Sequence, residues 1–244
     1  MLPLLLEAEA LVPSDGTVSV LDAKHRHNLF VHASSVSGAG WGQRSGNVTK
    51  PPTAWPATTL ARVNLRAEGV SDWPAVGTVH LAAFPDHGRV VAKLVNDLRD
   101  AVARGEGLSL VAEERDEIVG HVMFSPSLLD APKRLVPVQV LSPIGVVPAW
   151  QNKGVGATLI RRGLELLAER NVPLVFLEGS PTYYTRFGFR PALEHGFRKP
   201  SLRIPDAGFQ VFLLPAYESW MTGTLVYSEA FWRHDLVGLR DPNA

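Results

Sequence analysis

Hydrophobic and polar residues alternate along the chain in two different periods from residue 61 onward. An alternation at every second position over residues 61–69 predicts a strand, and helical spacing over 72–84 and 88–105 predicts two helices. Asp72 is placed to cap the first helix with Pro74 in its first turn, and Gly105 ends the second. The apolar positions of these helices are Val76, Val79, Leu81, Phe84, Val91, Leu94, Val95, Leu98 and Val102.

The remaining pattern predicts more strands than helices. Two strands flank a polar turn at Arg115 and Asp116, which is typical of an antiparallel hairpin. An apolar strand over residues 138–146 precedes a helix from Val155 to Arg170, and the next short apolar run is typical of a strand buried on both faces. A short helical segment, two further strands (around 190–193 and 209–214) and an aromatic tail that packs back onto the domain complete the expected elements. The order β-α-α-β-β-β-α-β-α-β-β predicts an α/β fold, with a mixed sheet and helices on its faces.

The first 60 residues differ from the rest in composition. Between Ser34 and Thr59 the sequence consists mainly of Ser, Gly, Pro, Thr and Ala, which cannot bury enough apolar surface to offset the entropy of ordering. We therefore expect a flexible N-terminal extension over residues 1–60 and a domain over 61–240. His25, His27 and His32 lie close together in the extension, but without carboxylate or thiolate support they do not predict a metal site.

Composition and charge exclude several classes of function. The 244 residues carry a net charge of +0 and are 45% hydrophobic, so no global field attracts nucleic acid or an acidic membrane. The chain has no cysteine, which excludes disulfides, thiolate zinc sites and a cysteine nucleophile. No apolar run approaches the ~20 residues needed to span a bilayer, and the apolar start lacks the basic residues of a signal peptide. A soluble, cytoplasmic protein is expected.

The stretch from Val138 to Ala157 has the strongest chemical signature in the chain. A strand is followed by Pro148 and by a turn with Gly154 and Gly156 that opens a helix. The unpaired amides and the dipole of a helix N-terminus point at the same place, so this arrangement predicts an anion site. Glycines in the turn let the backbone approach that anion without side chains in the way.

Three nucleotide-site patterns compete for these glycines. The phosphate-binding loop GxxxxGK[ST] occurs nowhere in the chain. A dinucleotide fingerprint would need a third glycine where Leu159 stands, and residues 148–153 lengthen a connection that should be tight. The third pattern, V-x-P-x-x-[QR]-x-x-G-x-[GA], is matched at every defined position by Val146, Pro148, Gln151, Gly154 and Gly156.

At these positions the sequence resembles the GNAT superfamily of N-acetyltransferases. The segment YYTRFGF at residues 183–189 resembles a second motif of that family, and the surrounding sequence is similar to a bacterial subgroup of predicted acetyltransferases. The resemblance implies a GNAT-like fold, whose mostly antiparallel sheet splays at the coenzyme A strand, and acetyl-CoA as co-substrate. The residues implied in binding it are Ile144, Gly145, Val146, Gln151, Asn152, Lys153, Gly154, Val155, Gly156 and Ala157.

The resemblance also implies catalytic roles. Tyr184 aligns with the tyrosine that serves the family as general acid toward the departing thiolate, and Tyr183 is expected to be a packing neighbour. Glu178, at the end of a strand beside the expected cleft, is our candidate for the proton acceptor, either directly or through water. The acceptor pocket could be lined by Glu113, Glu114 and His121. The 3′-phosphate of coenzyme A could be held by Arg186, Arg190, Arg198, Lys199 and Arg203. For the charged residues among these, solvation is the ordinary alternative.

The expected activity is transfer of an acetyl group to a primary amine by direct attack in a ternary complex, without a metal. The acceptor can be a small molecule or a protein, and no nucleic-acid or membrane partner is expected. Two alternatives stay open: a regulatory module that binds acyl-CoA without catalysis, and a nicotinamide-dependent oxidoreductase, which Leu159 disfavours. A homodimer formed through the aromatic tail also stays open.

Overall fold

The computed structural model describes residues 63–240, and these form a mixed sheet with helices on both faces. The predicted N-terminal extension and its three histidines lie outside the described residues. The strands are β1 (Asn64–Ala67), β2 (Leu108–Glu114), β3 (Glu117–Asp130), β4 (Leu135–Val146), β5 (Leu174–Glu178), β6 (Arg190–Pro191), β7 (Phe197–Arg198), β8 (Phe209–Leu213) and β9 (Gly223–Val226). The helices are α1 (Trp73–Ala83), α2 (Gly88–Ala103), α3 (Val155–Glu169), α4 (Pro181–Tyr184) and α5 (Glu229–Arg233).

The sheet follows the order β1-β2-β3-β4-β5-β8-β6, and β9 joins the far end of β3 and pairs with β7. Every neighbouring pair on the main path is antiparallel except β4 and β5, which are parallel. The fold class expected from the sequence is therefore confirmed. The predicted hairpin turn is also confirmed, since Arg115 and Asp116 both adopt left-handed backbone angles, with φ of 48° and 65°, as in a two-residue hairpin loop.

Helices α1 and α2 cover one face of the sheet and α3 covers the other. The apolar stripe of α2 is buried as predicted at Val91, Leu94, Val95 and Leu98. Helix α1 differs from the prediction, because Leu81 is 49% exposed and the neighbouring His80 is 0% exposed. Helix α3 buries its predicted face, which consists of Leu159, Ile160, Leu164 and Leu167.

Strand β4 bends where two of its residues oppose a single residue of β3. Val122 pairs with Ile144 and Phe124 pairs with Leu141, so Ser142 and Pro143 form a β-bulge opposite one residue. A bulge bends a strand and increases its local twist. On the other edge of β4, pairing with β5 is confined to Gln139 and Val140. The bend and the end of pairing coincide, and the two parallel strands diverge from there.

The C-terminal part packs back onto the sheet, as expected from its aromatic content. Met221, Leu225, Tyr227 and Phe231 are all buried and join the core under α2. The strand expected near residues 190–193 is shorter than predicted, because Ala192 begins a 3-10 turn. Strands β7 and β9 and helix α5 were not predicted; they are short, and their sequences carry too few residues to display a period.

None of the helices within residues 63–240 is long and apolar enough to cross a membrane.

Two helical glycines provide a stability test of this packing. A Cβ added at Gly163 in α3 would lie 2.1 Å from Cε2 of Phe124, a ring that is completely buried. We expect Gly163→Ala to lower the free energy of unfolding by about 1–3 kcal/mol, because the ring has no room to move away. A Cβ at Gly77 in α1 meets nothing within 4 Å, so Gly77→Ala should raise it by about 0.5–1 kcal/mol. Urea denaturation measures both, and equal effects of the two variants would contradict the described packing.

Candidate functional site

The divergence of β4 from β5 leaves one edge of β4, beyond Val140, without a partner strand among residues 63–240. Val147 donates its N–H to the carbonyl of Val119 over 3.0 Å, so these two residues form a hydrogen-bonded pair of the β3–β4 ladder. Antiparallel pairs alternate between hydrogen-bonded and non-hydrogen-bonded, so the pair of Val146 with Gly120 is of the second kind. The backbone N–H of Val146, and likewise that of Ile144, therefore points away from β3 toward the cleft.

A compact loop connects this edge to the N-terminus of α3. The side chain of Gln151 donates from Nε2 to the carbonyl oxygen of Val146 over 3.0 Å, which ties the loop to the end of the strand. Asn152 and Gly154 both have left-handed backbones, with φ of 62° and 83°. Alternating left- and right-handed residues turn successive N–H groups toward one point, and the first N–H groups of α3 add to them.

The ten predicted coenzyme A residues are thus brought to one place by two elements, the end of β4 and the start of α3. Ile144 and Val155 are buried, so only their backbones can face a ligand. Asn152 and Lys153 are exposed, and the ammonium of Lys153 lies 4.9 Å from the ring centre of Trp150. The assignment of all ten as binding residues stays a prediction. The backbone geometry at this place is that of an anion cradle.

Tyr183 lies closer to the glycine turn than its expected packing role implied. A Cβ at Gly156 would be 3.4 Å from the Tyr183 hydroxyl oxygen, so this hydroxyl borders the first turn of α3. The guanidinium of Arg186 lies 4.0 Å from the centre of the Tyr183 ring. Burial raises the pKa of Tyr183, and the positive charges of Arg186 and Arg161 oppose that rise.

Tyr184 is 2% exposed and belongs to the core on the α3 face of the sheet. Its ring contacts those of Tyr183, Phe187 and Phe189 and fills the space where a Cβ of Gly179 would lie. Burial raises the pKa of the Tyr184 phenol well above its ordinary value. The phenol therefore stays protonated at neutral pH, as a general acid must, and its catalytic role stays a prediction.

Glu178 ends β5 on the opposite side of the cleft from Val146. Its Oε1 accepts a hydrogen bond from the Tyr227 hydroxyl over 2.8 Å, and its Oε2 accepts one from the backbone N–H of Gly238 over 3.1 Å. Burial raises the pKa of Glu178 to about 7, although both hydrogen bonds and the charge of Arg203 favour the carboxylate. Such a pKa suits a group that takes up and releases protons near neutrality.

Most of the other charged residues considered from the sequence have partners of their own. Glu113 forms an ion pair with Arg66 across the β1–β2 ladder, at 2.6 Å. Glu114 is paired with Arg115 at the hairpin turn. Lys199 is paired with Asp206, and Arg203 with Asp235. These contacts are those of a polar surface, so a role in holding an acceptor or a 3′-phosphate stays a prediction.

A buried polar network runs through the α1/α2 face of the sheet, and the sequence analysis missed most of it. His80 Nε2 lies 2.8 Å from His121 Nδ1, and His121 Nε2 lies 2.8 Å from the Ser109 hydroxyl. The Ser109 hydroxyl lies 2.6 Å from Glu68 Oε2, and Arg99 binds the other carboxylate oxygen through Nη2 at 2.6 Å and Nε at 3.1 Å.

The charges of this network are set by its burial. Burial opposes the ionisation of Glu68, but His121, Arg99 and Ser109 together outweigh that cost and lower the pKa of Glu68 to about 2. Burial lowers the pKa of both histidines, that of His80 to well below its ordinary value, and the charge of Arg99 acts in the same direction. At neutral pH the network therefore contains one carboxylate, one guanidinium and two neutral imidazoles.

The helical spacing of α1 indicates that His80 is buried. His80 is four residues from both Val76 and Phe84, so it lies on their face of α1, and Leu81 lies beside that face. A histidine centred on an apolar helical face must have a buried polar partner. The alternation of side chains along the strands indicates the partner of His80, because His121 and Ser109 lie on the same face of the β2–β3 hairpin.

Within residues 63–240, no group of three or more histidine, aspartate or glutamate side chains is arranged to hold a metal ion.

Comparisons with known proteins agree with this geometry. The sequence profile of the acetyltransferase (GNAT) domain matches residues 64–192. The N-acetyltransferase YhbS of Escherichia coli is 30% identical over 172 residues, which cover 69% of this chain and 98% of the relative. The N-acetyltransferase YjhQ of the same organism is 36% identical over 110 residues, and that match covers 45% of this chain and 61% of YjhQ.

Two solved structures are similar to this chain in fold and in sequence. The crystal structure of E. coli YhbS in complex with CoA has a TM-score of 0.64 and 29% identity, and covers 77% of this chain and 100% of its own. A GNAT family acetyltransferase from Brucella melitensis, in complex with acetyl-CoA, has a TM-score of 0.56 and 30% identity over 70% of this chain and 98% of its own.

The raised pKa of Glu178 predicts how stability depends on pH. The unfolded chain releases this proton near 4.5 and the folded protein near 7. The folded state therefore binds more protons between these values, and the contribution of Glu178 to stability falls as pH rises through them. Since glutamine does not titrate, the melting temperature of the wild type relative to Glu178→Gln should fall between pH 4.5 and 7, by the equivalent of at most about 3 kcal/mol.

Thermal melts from pH 4 to 8.5 measure this difference. Any loss of stability from placing the amide of Glu178→Gln next to the Gly238 N–H is independent of pH, so it shifts the melting temperature of the variant equally at every pH. Glu165→Gln, an exposed change on α3, is the matched control, and the same pH dependence in both variants would contradict the burial of Glu178.

Proposed function

The chain belongs to the GNAT acetyltransferase family, and we propose that it transfers the acetyl group of acetyl-CoA to a primary amine. The observation that carries this proposal is the unpaired edge of β4, which ends beside the cradle of N–H groups at the start of α3. Both substrates bind together, and the amine attacks the thioester directly. No step needs a covalent enzyme intermediate.

Each half of the cleft matches one part of acetyl-CoA. The pyrophosphate is an anion, and the loop from Gln151 to Gly156 offers converging N–H groups and a helix dipole. The pantetheine arm carries amides, which can pair with the free edge of β4 as an added strand does. The N–H of Val146 then faces the thioester oxygen, where it stabilises the negative charge that develops during attack.

The chemistry also requires that protons move in both directions. A lysine-like amine has a pKa of about 10.4, so it arrives as an ammonium ion and must lose one proton before it can attack. We assign this proton to Glu178, because its pKa of about 7 leaves a large carboxylate fraction at neutral pH. The departing thiolate gains a proton, which we assign to the protonated phenol of Tyr184.

Two other functions would use the same cleft differently. A regulatory module would bind acyl-CoA without turnover, and it would need none of the titratable groups beside the cleft. A nicotinamide-dependent oxidoreductase would need a tight turn between strand and helix, whereas here the 3-10 turn at Pro148–Trp150 and a further loop intervene. The buried carboxylate, imidazole and phenol groups around the cleft favour the enzyme.

Ligand-dependent melting tests the binding half of the proposal. Acetyl-CoA at about 100 times its Kd should stabilise the protein by about 2.7 kcal/mol, and NAD should not. Gly154→Ala should weaken the effect, because a Cβ is strained at a φ of 83° and the cradle must distort. Gly105→Ala is the matched control: it places the same strain at a φ of 81°, at the end of α2, and should keep the full shift. Stabilisation by NAD but not by acetyl-CoA would reject the proposal.

Release of free thiol from acetyl-CoA tests turnover and the role of Tyr184. With spermidine, kanamycin, L-phenylalanine and a lysine-containing peptide as acceptors, Tyr184→Phe should lower kcat by about 100-fold with unchanged acetyl-CoA binding. Tyr217→Phe, in the C-terminal tail, is the control for loss of a tyrosine hydroxyl. Unchanged turnover in Tyr184→Phe would remove Tyr184 from this role, and a loss confined to Tyr183→Phe would transfer the role to Tyr183.

A further inference from the structure

One nitrogen of the buried network has no hydrogen-bond partner among residues 63–240: Nδ1 of His80. The His80 ring is 0% exposed and occupies the space where a side chain at position 145 would lie. A Cβ on Gly145 would be 2.9 Å from this Nδ1. The unpaired nitrogen therefore points at the strand residue immediately before Val146, whose N–H faces the cleft.

The direction of every hydrogen bond in the network follows from the charge of Glu68. As a carboxylate, Glu68 can only accept, so the Ser109 hydroxyl donates its single proton to Oε2. The Ser109 oxygen must then accept from Nε2–H of His121, which leaves Nδ1 of His121 without a proton. That Nδ1 accepts from Nε2–H of His80.

The consequence is that Nδ1 of His80 carries a lone pair and no proton. His80 is neutral because burial and the charge of Arg99 lower its pKa. A neutral imidazole has one donor and one acceptor nitrogen, and the donor is already assigned to Nε2. The network is thus a chain of polarised donors that starts at the Glu68 charge and ends in a nitrogen with a free lone pair beside β4.

We propose that His80 is a catalytic residue of acetyl transfer, which accepts the proton that the amine nitrogen loses as the C–N bond forms. This inference rests on the proposed function. A primary ammonium ion loses two protons on its way to an amide, and Glu178 accounts for the first only. His80 accounts for the second, through Nδ1, directly or through one water molecule.

The proton balance closes along the network. As the amine nitrogen bonds to the acetyl carbon and the C–S bond breaks, Nδ1 of His80 gains a proton and its Nε2 proton moves to Nδ1 of His121. His121 keeps its Nε2 proton and becomes the cation, and its Nε2 lies 3.7 Å from Oε2 of the Glu68 carboxylate. The thiolate takes its proton from Tyr184. Before the next turnover the Nδ1 proton of His121 returns to Nε2 of His80, Nδ1 of His80 releases its proton to water, and Tyr184 regains a proton from solvent.

The surroundings of His80 match this role. On its own helix the Phe84 ring stacks on the His80 ring, with centroids 5.9 Å apart. The titratable and charged groups that act on it are His121 from β3 and Arg99 from α2, and Glu68, in the loop after β1, contacts both of these residues. The Glu68 carboxylate, which also binds Arg99, is the counter-charge for the cation that forms on His121.

The test is His80→Gln, because glutamine keeps an N–H donor toward His121 and lacks the basic nitrogen. We expect kcat for thiol release from acetyl-CoA, with spermidine, kanamycin, L-phenylalanine or the lysine peptide as acceptor, to fall about 100-fold. The deficit should be the same at all pH values, since the proton is lost from an amine that is already neutral. Glu178→Gln should instead show a deficit that shrinks as pH approaches the pKa of the amine.

His121 and Ser109 act through His80 and are positioning residues. When several protons move in one step, a plot of kcat against the deuterium content of the solvent is bowed. Ser109→Ala breaks the hydrogen-bonded link between Glu68 and the histidines, so this plot should become straight. Ser109→Thr should restore the bow. Ser125→Ala, which removes another buried hydroxyl from β3, should leave both kcat and the isotope dependence as in the wild type. A curve in Ser109→Ala that stays bowed would overturn the proton relay.

Nitrogen-15 NMR of the histidine rings provides a readout that does not depend on turnover. In the free protein His80 and His121 should both carry their proton on Nε2, and a proton on Nδ1 of His80 would overturn the inference. An active wild type with unchanged kcat in His80→Gln would overturn it as well, and would leave the proposed function intact. A wild type that neither binds acetyl-CoA nor releases thiol would reject the proposed function and this inference together.

Discussion

The site depends on one interruption of hydrogen bonding: the parallel pairing of β4 with β5 ends after Val140. Buried backbone groups almost always have partners, so a strand edge that is left free in the middle of a sheet is costly unless something else pairs with it. The bulge at Ser142 and Pro143 bends β4 away, and the ladder with β3 holds the strand in place through Val146. In the proposed function a ligand with amide groups supplies the missing partner. The same divergence gives the cleft its width and its direction.

The two faces of the sheet contribute different chemistry to this cleft. The α3 face supplies the helix N-terminus, the loop held by Gln151, and the aromatic core around Tyr184. The α1/α2 face supplies the proposed proton acceptors, since Glu178 is bound by Tyr227 there and the His80 network lies beneath α1. In the proposed function the anion site and the proton donor therefore lie on the α3 face and both proton acceptors on the other, while β3 and β4 contact the helices of both faces.

Much of this arrangement could be predicted from periodicity and from one motif. The α/β class, the hairpin at Arg115 and the buried strand β5 followed from local patterns, and the glycine turn followed from the spacing after Val146. The divergence of β4 was expected only through the family resemblance, because pairing between distant strands has no local signature. The His80 network was missed for a related reason: its five members come from four elements and a loop, and each residue alone is typical of ordinary packing or of the surface.

The close fit between Gly145 and His80 constrains how both positions can change during evolution. Its missing side chain is the space that the His80 ring fills, with Nδ1 where a Cβ would come within 2.9 Å. Neither position can therefore change alone: a larger residue at 145 expels the imidazole, and a smaller residue at 80 leaves a void against the strand. Positions 80 and 145 lie 65 residues apart in the chain. We expect sequences that diverge from this one to keep the histidine and the glycine together or to lose both.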